Sequence, residues 1–205
     1  MKSFFSKMIE LKKMSLITLK KRETKLYSYI LACDVGGAPC AEDGCLTIAI
    51  CKQVMRRNAK VGDTIVGISG YKLGKKKKII FIATITKMVT MEEYGDSPRS
   101  DSIYTSDLKL KPNPFHDCTN YKRDVSGKNV IISTDFIYFG KKNIVVPKNL
   151  QGIIPGRGYQ TDKNTPFKQT LMDLFSAEKR NGTGKRGEYT GKKSKCDNKP
   201  VSKCI

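Results

Sequence analysis

Two apolar segments joined by a lysine-rich loop constrain the fold of this chain most strongly. Gly62-Asp63 predicts a turn, and an apolar strand follows it directly at residues 64–68. After a loop with four consecutive lysines, a second apolar strand is predicted at residues 79–86. Both faces of this second strand are largely apolar, which is typical of a buried or barrel strand rather than of a sheet edge. We therefore expect a β-hairpin with basic residues at both of its ends.

The rest of the chain predicts further short strands and few helices. Strands or apolar strand-like segments are expected at residues 26–33, 46–50, 129–133 and 136–139. Thr90 and Glu93 have the spacing of a capping box, which predicts a short helix that runs through Tyr94. Many short strands with few helices favour an α+β domain built on a small curved antiparallel or mixed β-sheet, or on a small barrel.

Two more helices are expected. In a short helix at about residues 51–58, Lys52 and Arg56 are four residues apart and should share one face. A C-terminal helix is predicted at about residues 165–179, because apolar side chains recur at i, i+4, i+7 and i+8 from Phe167 onward.

The formal charge of +20 is unevenly distributed. Residues 1–26 hold eight Lys and Arg against two acids, and residues 181–205 hold seven against two, so these ends contribute +6 and +5. We predict a basic N-terminal extension (1–25), one central domain (26–180) and a disordered basic tail (181–205). The charge favours a polyanionic partner, although a lysine-rich proteome would make an ordinary enzyme basic as well.

No segment predicts export or membrane insertion. The apolar residues near the N-terminus are soon interrupted by charges, so no secretory signal is recognisable. The longest uncharged apolar run is far shorter than the roughly 20 residues that a membrane span needs. We expect an intracellular protein that is not secreted and does not bind a membrane.

A polar stretch at residues 95–128 is rich in turn residues, and loops of this length inside a compact domain are usually functional or disordered. His116 is the single histidine of the chain, so any histidine-based acid–base step must use it. A lone histidine in a polar loop is also commonly incidental. The other candidates in this stretch are Arg99, Tyr104, Arg123 and Asp124, and Arg123-Asp124 is either an anion-binding pair or a surface ion pair.

Candidates outside this stretch each have a structural alternative. Asp34, at a strand end before two glycines, could accept hydrogen bonds from a base edge or cap the turn. Lys52 and Arg56 could hold phosphates or form a solvated helix face. Thr47 could donate its hydroxyl into the same site or be a buried threonine.

Three further features lie on the predicted strands and the hairpin. Tyr138 and Phe139 alternate faces, so one should pack in the core and the other could stack on a base. Ser69 ends the first hairpin strand and is included as a binding candidate. The lysines at 75–78 could contact phosphates, but such contacts carry no sequence information.

Several kinds of chemistry are disfavoured. Cys40, Cys45 and Cys51 are separated by four and five residues and no CxxC pair exists, so the spacing does not match a standard zinc site. The zinc deaminase signature, the P-loop, GxSxG and the kinase motifs are missing. We expect neither a metal nor another cofactor.

Several separated segments together resemble the nucleotide modification associated domain family of the second type. They are residues 29–39, 45–57, 59–67, 91–94, 101–104, 126–140 and 156–159. The resemblance covers about residues 27–178 and implies a setting near enzymes that modify nucleobases in viruses and bacteria. The Gly62-Asp63 turn with its two strands is also similar to PUA, ASCH and EVE domains, small β-barrels that bind RNA or modified bases; this is an analogy of fold, which does not determine function.

Three hypotheses follow. The leading one is a nucleic-acid or nucleotide (modified-base) binding domain in DNA or RNA modification. Its candidate binding residues are Asp34, Thr47, Lys52, Arg56, Ser69, Arg99, Tyr104, His116, Arg123, Asp124 and Tyr138. The alternative is an enzyme, a hydrolase or transferase, in which Asp34 and His116 are the acid–base groups. The third is a structural partner in a modification complex. Expected partners are nucleic acid or a nucleotide, with proteins of a base-modification system, in the cytoplasm or a viral factory.

Overall fold

The computed structural model describes residues 22–156, 159–162 and 166–180. The larger of its two sheets contains β1 (Leu26–Leu31), β4 (Thr64–Ser69), β5 (Lys78–Thr84), β8 (Asp135–Tyr138), β9 (Ile144–Val145) and β10 (Tyr159–Asp162). The strand order is β10-β1-β4-β5-β8, with β9 also paired to β5. Strands β1 and β4 are parallel, whereas the other pairings in this sheet are antiparallel.

The smaller sheet is antiparallel and has the order β2-β3-β7-β6. Its strands are β2 (Cys40–Glu42), β3 (Cys45–Ile48), β6 (Lys87–Thr90) and β7 (Asn129–Ser133). The α-helices of the described residues are α1 (Gln53–Asn58), α2 (Met91–Tyr94), α3 (Tyr121–Val125) and α4 (Pro166–Arg180). Short 3-10 turns lie at Tyr71–Leu73, Cys118–Asn120, Gly140–Lys142 and Lys148–Ile153.

Apolar packing arranges these elements in layers. Side chains of both sheets, among them Tyr29, Ile48 and Phe81, form one buried cluster between them. The other face of the larger sheet packs against α4 through Leu171 and Phe175. Because both faces of this sheet are covered, every residue of β4 is buried. The outer face of the smaller sheet packs against α2 and residues 103–104.

The predicted fold class is confirmed: the domain is α+β, with mixed and antiparallel sheets, a few short helices and a C-terminal helix. Within the described residues both sheets are open, so the sheet alternative is the one observed. The hairpin forms as β4 and β5, and the interior of β5 is buried on both faces. The capping box of Thr90 and Glu93 is present with both of its hydrogen bonds.

Two local predictions differ from the structure. The short helix expected at about residues 51–58 forms, but it begins at Gln53, because Cys51 and Lys52 have left-handed backbone conformations. Lys52 and Arg56 therefore do not share a helical face. The polar stretch at residues 95–128 contains the helix α3 and a 3-10 turn and is not one irregular loop.

The predicted extension and tail lie largely outside the described residues. At the edge of the described part, Arg22 forms an ion pair with the buried Asp63 at 2.7 Å. None of the helices in the described ranges combines the length and the apolar character that a membrane span requires.

Candidate cysteine-histidine-aspartate site

Three side chains from distant parts of the sequence meet at one corner of the domain. Cys51 lies on the turn that connects β3 to α1. His116 precedes the 3-10 turn at Cys118–Asn120, and Asp124 lies in α3. Cys51 and His116 are 65 residues apart in sequence, so only the packing of the 95–128 segment against the smaller sheet brings them together.

Hydrogen bonds connect the three residues in a closed circuit. The Sγ atom of Cys51 is 3.3 Å from Nε2 of His116. The opposite ring nitrogen, Nδ1, is hydrogen-bonded to Oδ2 of Asp124. The second carboxylate oxygen of Asp124 accepts a hydrogen bond from the backbone N–H of Cys51 at 3.0 Å. A nucleophile within hydrogen-bond reach of a base, which a third group orients, is the arrangement that nucleophilic catalysis requires.

Asp124 is completely buried, and its carboxylate accepts a hydrogen bond from one more side chain. The hydroxyl of Tyr104 donates to Oδ2 of Asp124 at 3.1 Å. Burial, followed by the charge of Asp124, raises the pKa of Tyr104, so its hydroxyl stays protonated and can donate at neutral pH. The carboxylate is therefore held by three donor groups, and its orientation toward His116 is set by the fold.

Arg56 joins the backbone segments that carry the site. Its guanidinium donates to the carbonyl oxygens of Cys51 at 2.9 Å and Asn129 at 3.0 Å, and also to those of Ala49 and Asp124. Burial lowers the pKa of Arg56 to about 10, which leaves it charged at neutral pH. Arg56 is fully buried, so it lies inside the fold rather than at a surface that a phosphate could reach.

Gly127 shows how closely the chain packs around Arg56. A Cβ atom at Gly127 would lie 2.1 Å from a terminal guanidinium nitrogen of Arg56. Any other residue there would force the buried guanidinium to shift from its hydrogen bonds to the Cys51 and Asp124 carbonyls.

The backbone at the site is strained. Cys51 and Lys52 have φ values of 55° and 42°, in a region that costs a non-glycine residue about 1–2 kcal/mol. Such strain persists only where surrounding contacts impose it, and it is common at functional sites. Here the contacts are the bonds from Cys51 N–H to Asp124 and from Arg56 to the Cys51 carbonyl.

His116 is protonated at neutral pH, because its pKa is raised in the folded protein. Burial lowers its pKa, but the hydrogen bonds to Asp124 and Cys51 outweigh this effect and raise it to about 9. His116 is therefore an imidazolium at neutral pH, and its Nε2 atom faces the Cys51 sulfur. Cys51 is half-buried and forms no disulfide. By contrast, burial raises the pKa of Cys40 to about 12, which makes that thiol unreactive.

A second group of side chains lies next to Cys51. The Nζ atom of Lys52 lies 4.4 Å from the ring centroid of Tyr29 and donates to the Ile30 carbonyl at 3.1 Å. Tyr138 donates its hydroxyl to Asp34. Burial raises the pKa of Tyr29, and Cys51 and Asp34 add smaller electrostatic contributions.

Two more charges define the electrostatics of this corner. Burial raises the pKa of Asp34, and the bond from Tyr138 partly offsets this. Burial also lowers the pKa of Lys52; Cys51 and Cys33 partly oppose this shift, and Arg123 adds a smaller lowering contribution. Arg123 is exposed and hydrogen-bonded to Asn120.

Most of the residues singled out in the sequence come together here. The corner contains Asp34, Lys52, Arg56, Tyr104, His116, Arg123, Asp124 and Tyr138. The neighbour of Tyr138, Phe139, is buried in the core.

Thr47 and Arg99 lie elsewhere, around the buried Asp101. Thr47 and Tyr94 donate their hydroxyls to Asp101 at 2.6 and 2.7 Å, and Arg99 forms an ion pair with it at 3.8 Å. Ser69 lies at the base of the β4–β5 loop, where it accepts from the Lys78 N–H at 2.9 Å.

The sequence indicates no role for Cys51 beyond a possible zinc ligand, and its spacing to Cys40 and Cys45 does not match a standard zinc site. A single histidine together with cysteines and aspartates is consistent with a nucleophile triad, but spacing does not identify which cysteine is involved.

The donor set of Cys51, His116 and Asp124 is also one that could hold a metal ion. However, His116 contacts Cys51 and Asp124 through opposite ring nitrogens, and one ion cannot bind both nitrogens of one imidazole. The geometry fits a hydrogen-bonded triad better than a metal centre.

Comparisons with curated proteins and with solved structures found no match. The sequence model of nucleotide modification associated domain 2 matches residues 23–103 and 102–192, which include both sheets and the whole site. This match extends over most of the chain, and the chain therefore belongs to the nucleotide modification associated domain 2 family, in the setting of nucleotide modification that the family's name describes.

Proposed function

We propose that this protein is a cysteine-dependent enzyme, a hydrolase or transferase, that acts on a nucleotide or a modified nucleobase. The observation that carries the proposal is the circuit of Cys51, His116 and Asp124 at a half-buried thiol. The family membership supports the substrate class. Compared with the enzyme hypothesis from sequence, His116 keeps an acid–base role, whereas Cys51 becomes the reacting group and Asp124 takes the orienting role.

The geometry suggests one reaction scheme with two steps. The Cys51 thiolate attacks an electrophilic carbon of the substrate, and a bond from that carbon to its leaving group breaks. The leaving group departs with the proton of the His116 imidazolium. An acceptor, water in a hydrolase, then gives a proton to neutral His116 and attacks the same carbon. The S–C bond breaks, the thiolate returns and the imidazolium is restored, so no oxidant or reductant is needed.

Each supporting residue has a place in this scheme. Asp124 holds Nδ1 of His116, which leaves Nε2 toward the thiol. Arg56 and the strained backbone hold the thiol in position. Lys52, which follows Cys51 in the chain, and the hydrogen-bonded pair of Tyr138 and Asp34 supply polar groups with which a base or a phosphate could be bound.

Thiol reactivity tests this proposal. The full-length protein is treated with iodoacetamide at neutral pH, and alkylation is located by mass spectrometry. We expect Cys51 to react at least about tenfold faster than Cys45, which is also half-buried but whose thiol pKa is raised by burial. In His116→Gln, the advantage of Cys51 should disappear.

Covalent trapping provides the second arm of this experiment. Intact-mass spectrometry of protein mixed with cellular nucleotides and quenched in acid before turnover is complete should show an adduct in the wild type and in Cys45→Ser, but none in Cys51→Ser. The proposal fails if Cys51 is no more reactive than Cys45 and no adduct depends on it.

An intracellular location belongs to the same proposal, because a nucleophilic thiol must be kept reduced. The binding-domain and complex-partner hypotheses stay predictions from the sequence. Binding of nucleic acid is compatible with the enzyme proposal, since a substrate must be held before it reacts.

A further inference from the structure

The loop that connects β4 to β5 combines an exposed aromatic ring with exposed lysines. Tyr71 is 76% exposed, the most of any large hydrophobic residue among those described as exposed. Lys72, Lys75 and Lys76 are exposed as well, and Lys77 and Lys78 are half-buried. No acidic residue occurs in the sequence between Asp63 and Glu92, so the loop and most of the hairpin carry no acid of their own.

The base of this loop is held by the fold. The Oγ atom of Ser69 accepts from the N–H of Lys78 at 2.9 Å and donates to the carbonyl of Lys76 at 3.3 Å. The Nζ atom of Lys77 donates to the Ser69 carbonyl at 3.3 Å. Because these contacts fix the base, Tyr71 and the exposed lysines are presented to solvent from an ordered frame.

The loop lies beside the proposed catalytic corner. Gly70 donates its N–H to the carbonyl of Leu31, the last residue of β1, at 2.7 Å. Lys52, which follows Cys51, donates to the carbonyl of Ile30 at 3.1 Å. The loop and the corner therefore both contact the carboxyl end of β1.

We propose that this loop binds a single-stranded nucleic acid, so that the substrate of the Cys51 site is a base within a polymer rather than a free nucleotide. The inference rests on the proposed function for its statement about the substrate. Successive unpaired bases stack on exposed aromatic rings while a basic surface holds the phosphates, which is the chemistry that Tyr71 and its lysines provide. A duplex, whose bases are already stacked, would leave the ring of Tyr71 without a partner.

Binding is measured by fluorescence anisotropy with a labelled oligothymidylate of about 12 nucleotides, a length within the range of single-strand sites. The full-length Cys51→Ser protein is used, so that no reaction interferes. We expect Tyr71→Ala to weaken binding about tenfold, whereas Tyr71→Phe, which keeps the ring, should bind normally. Equal binding by Tyr71→Ala and the parent would overturn the proposal.

The charge contribution needs a matched control, because the whole chain is basic. Lys75→Glu/Lys76→Glu is compared with Lys60→Glu/Lys87→Glu, which makes the same charge change at exposed lysines at the opposite end of the hairpin. We expect only the first pair to reduce the slope of log affinity against log salt concentration, by about 1.4 for two lost phosphate contacts. Equal losses in both variants would mean diffuse attraction and would contradict a defined surface.

Competition distinguishes polymer from monomer. Unlabelled oligothymidylate should displace the probe at concentrations at least about 100-fold lower than thymidine monophosphate does, because the monomer has one base and one phosphate. Equal competition would refute the polymer inference while leaving the enzyme proposal intact. Conversely, normal oligonucleotide binding by a protein whose Cys51 is unreactive would refute the enzyme proposal alone.

Discussion

Asp101 and Asp124 show how differently two buried carboxylates can be used in one small domain. Each is completely buried, and each accepts a hydrogen bond from a tyrosine, Tyr94 for Asp101 and Tyr104 for Asp124. Each also has an arginine nearby. The partners of Asp101 are hydroxyls and a guanidinium, which do not titrate near neutral pH. Asp124 instead holds a histidine, and that histidine faces a thiol.

The arginines differ in the same way. Arg99 crosses the end of the smaller sheet, where it donates to the carbonyls of Glu42, Cys40 and Cys45 at 3.1 to 3.2 Å. It thereby closes the β2–β3 turn. Arg56 holds the strained Cys51 and the backbone of Asp124. A buried carboxylate is therefore not by itself a sign of function; a reactive, partly accessible group that it orients is the informative feature.

Substitution of the two aspartates should give the largest difference between the two centres. Asp101→Asn and Asp124→Asn should each lower the free energy of unfolding by about 3 kcal/mol, because each leaves buried donors without a full set of acceptors. Only Asp124→Asn should also slow the alkylation of Cys51, by about tenfold or more. Urea denaturation and mass spectrometry of iodoacetamide-treated protein measure the two effects. If Asp101→Asn slowed alkylation as much, the two centres would not be functionally distinct.

The titration of His116 gives the next largest effect. Its pKa of about 9 in the folded protein lies above the ordinary value of 6.5. Its stabilising contribution is therefore complete below pH 6.5 and is lost as the pH rises through 9. After allowance for solvent screening, we expect the wild type to lose about 2 kcal/mol over this range relative to His116→Gln.

Urea unfolding at several pH values measures this difference. Thr47→Val, at the Asp101 centre, is the control and should keep the pH dependence of the wild type. The same pH dependence in wild type and His116→Gln would mean that His116 does not titrate as described.

The two tyrosines should give the smallest effects. Tyr94→Phe and Tyr104→Phe each remove one hydroxyl donor to a buried carboxylate, so each should cost about 1 kcal/mol of stability. Tyr104→Phe should also change the alkylation rate of Cys51 a few-fold, because it alters the charge distribution on Asp124, whereas Tyr94→Phe should not. An effect of Tyr94→Phe on Cys51 would show that the two centres are coupled.

Elements whose signals are local in sequence were predictable. The β4–β5 hairpin follows from two apolar runs and a turn, and α2 follows from the reciprocal hydrogen bonds of Thr90 and Glu93. The C-terminal helix follows from its apolar stripe. Strands β2, β6, β9 and β10 were not predicted, because two to four residues carry little periodic signal and their pairing comes from distant strands.

The candidate site was only partly predictable. Residue type alone placed His116, Asp124, Tyr104 and Lys52 among the candidates, since few side chains can do acid–base chemistry or hold an anion. Arg56 was also a candidate, but it is buried inside the fold, where it donates hydrogen bonds to backbone carbonyls such as that of Cys51. Cys51 was not recognised as a nucleophile, because nothing within a few residues of it distinguishes it from Cys45.

The sequence by itself determined the β4–β5 hairpin, α2, the C-terminal helix and the basic character of the hairpin loop, because these depend on periodicity, caps and charge over a few residues. Only the tertiary structure decided that Cys51 meets His116 across 65 residues and that Asp124 orients the imidazole. It also decided that the β4–β5 loop and Lys52 meet at the carboxyl end of β1. The reason is physical: contacts between distant segments depend on how the sheets and the 95–128 segment pack, and local patterns carry no information about that packing.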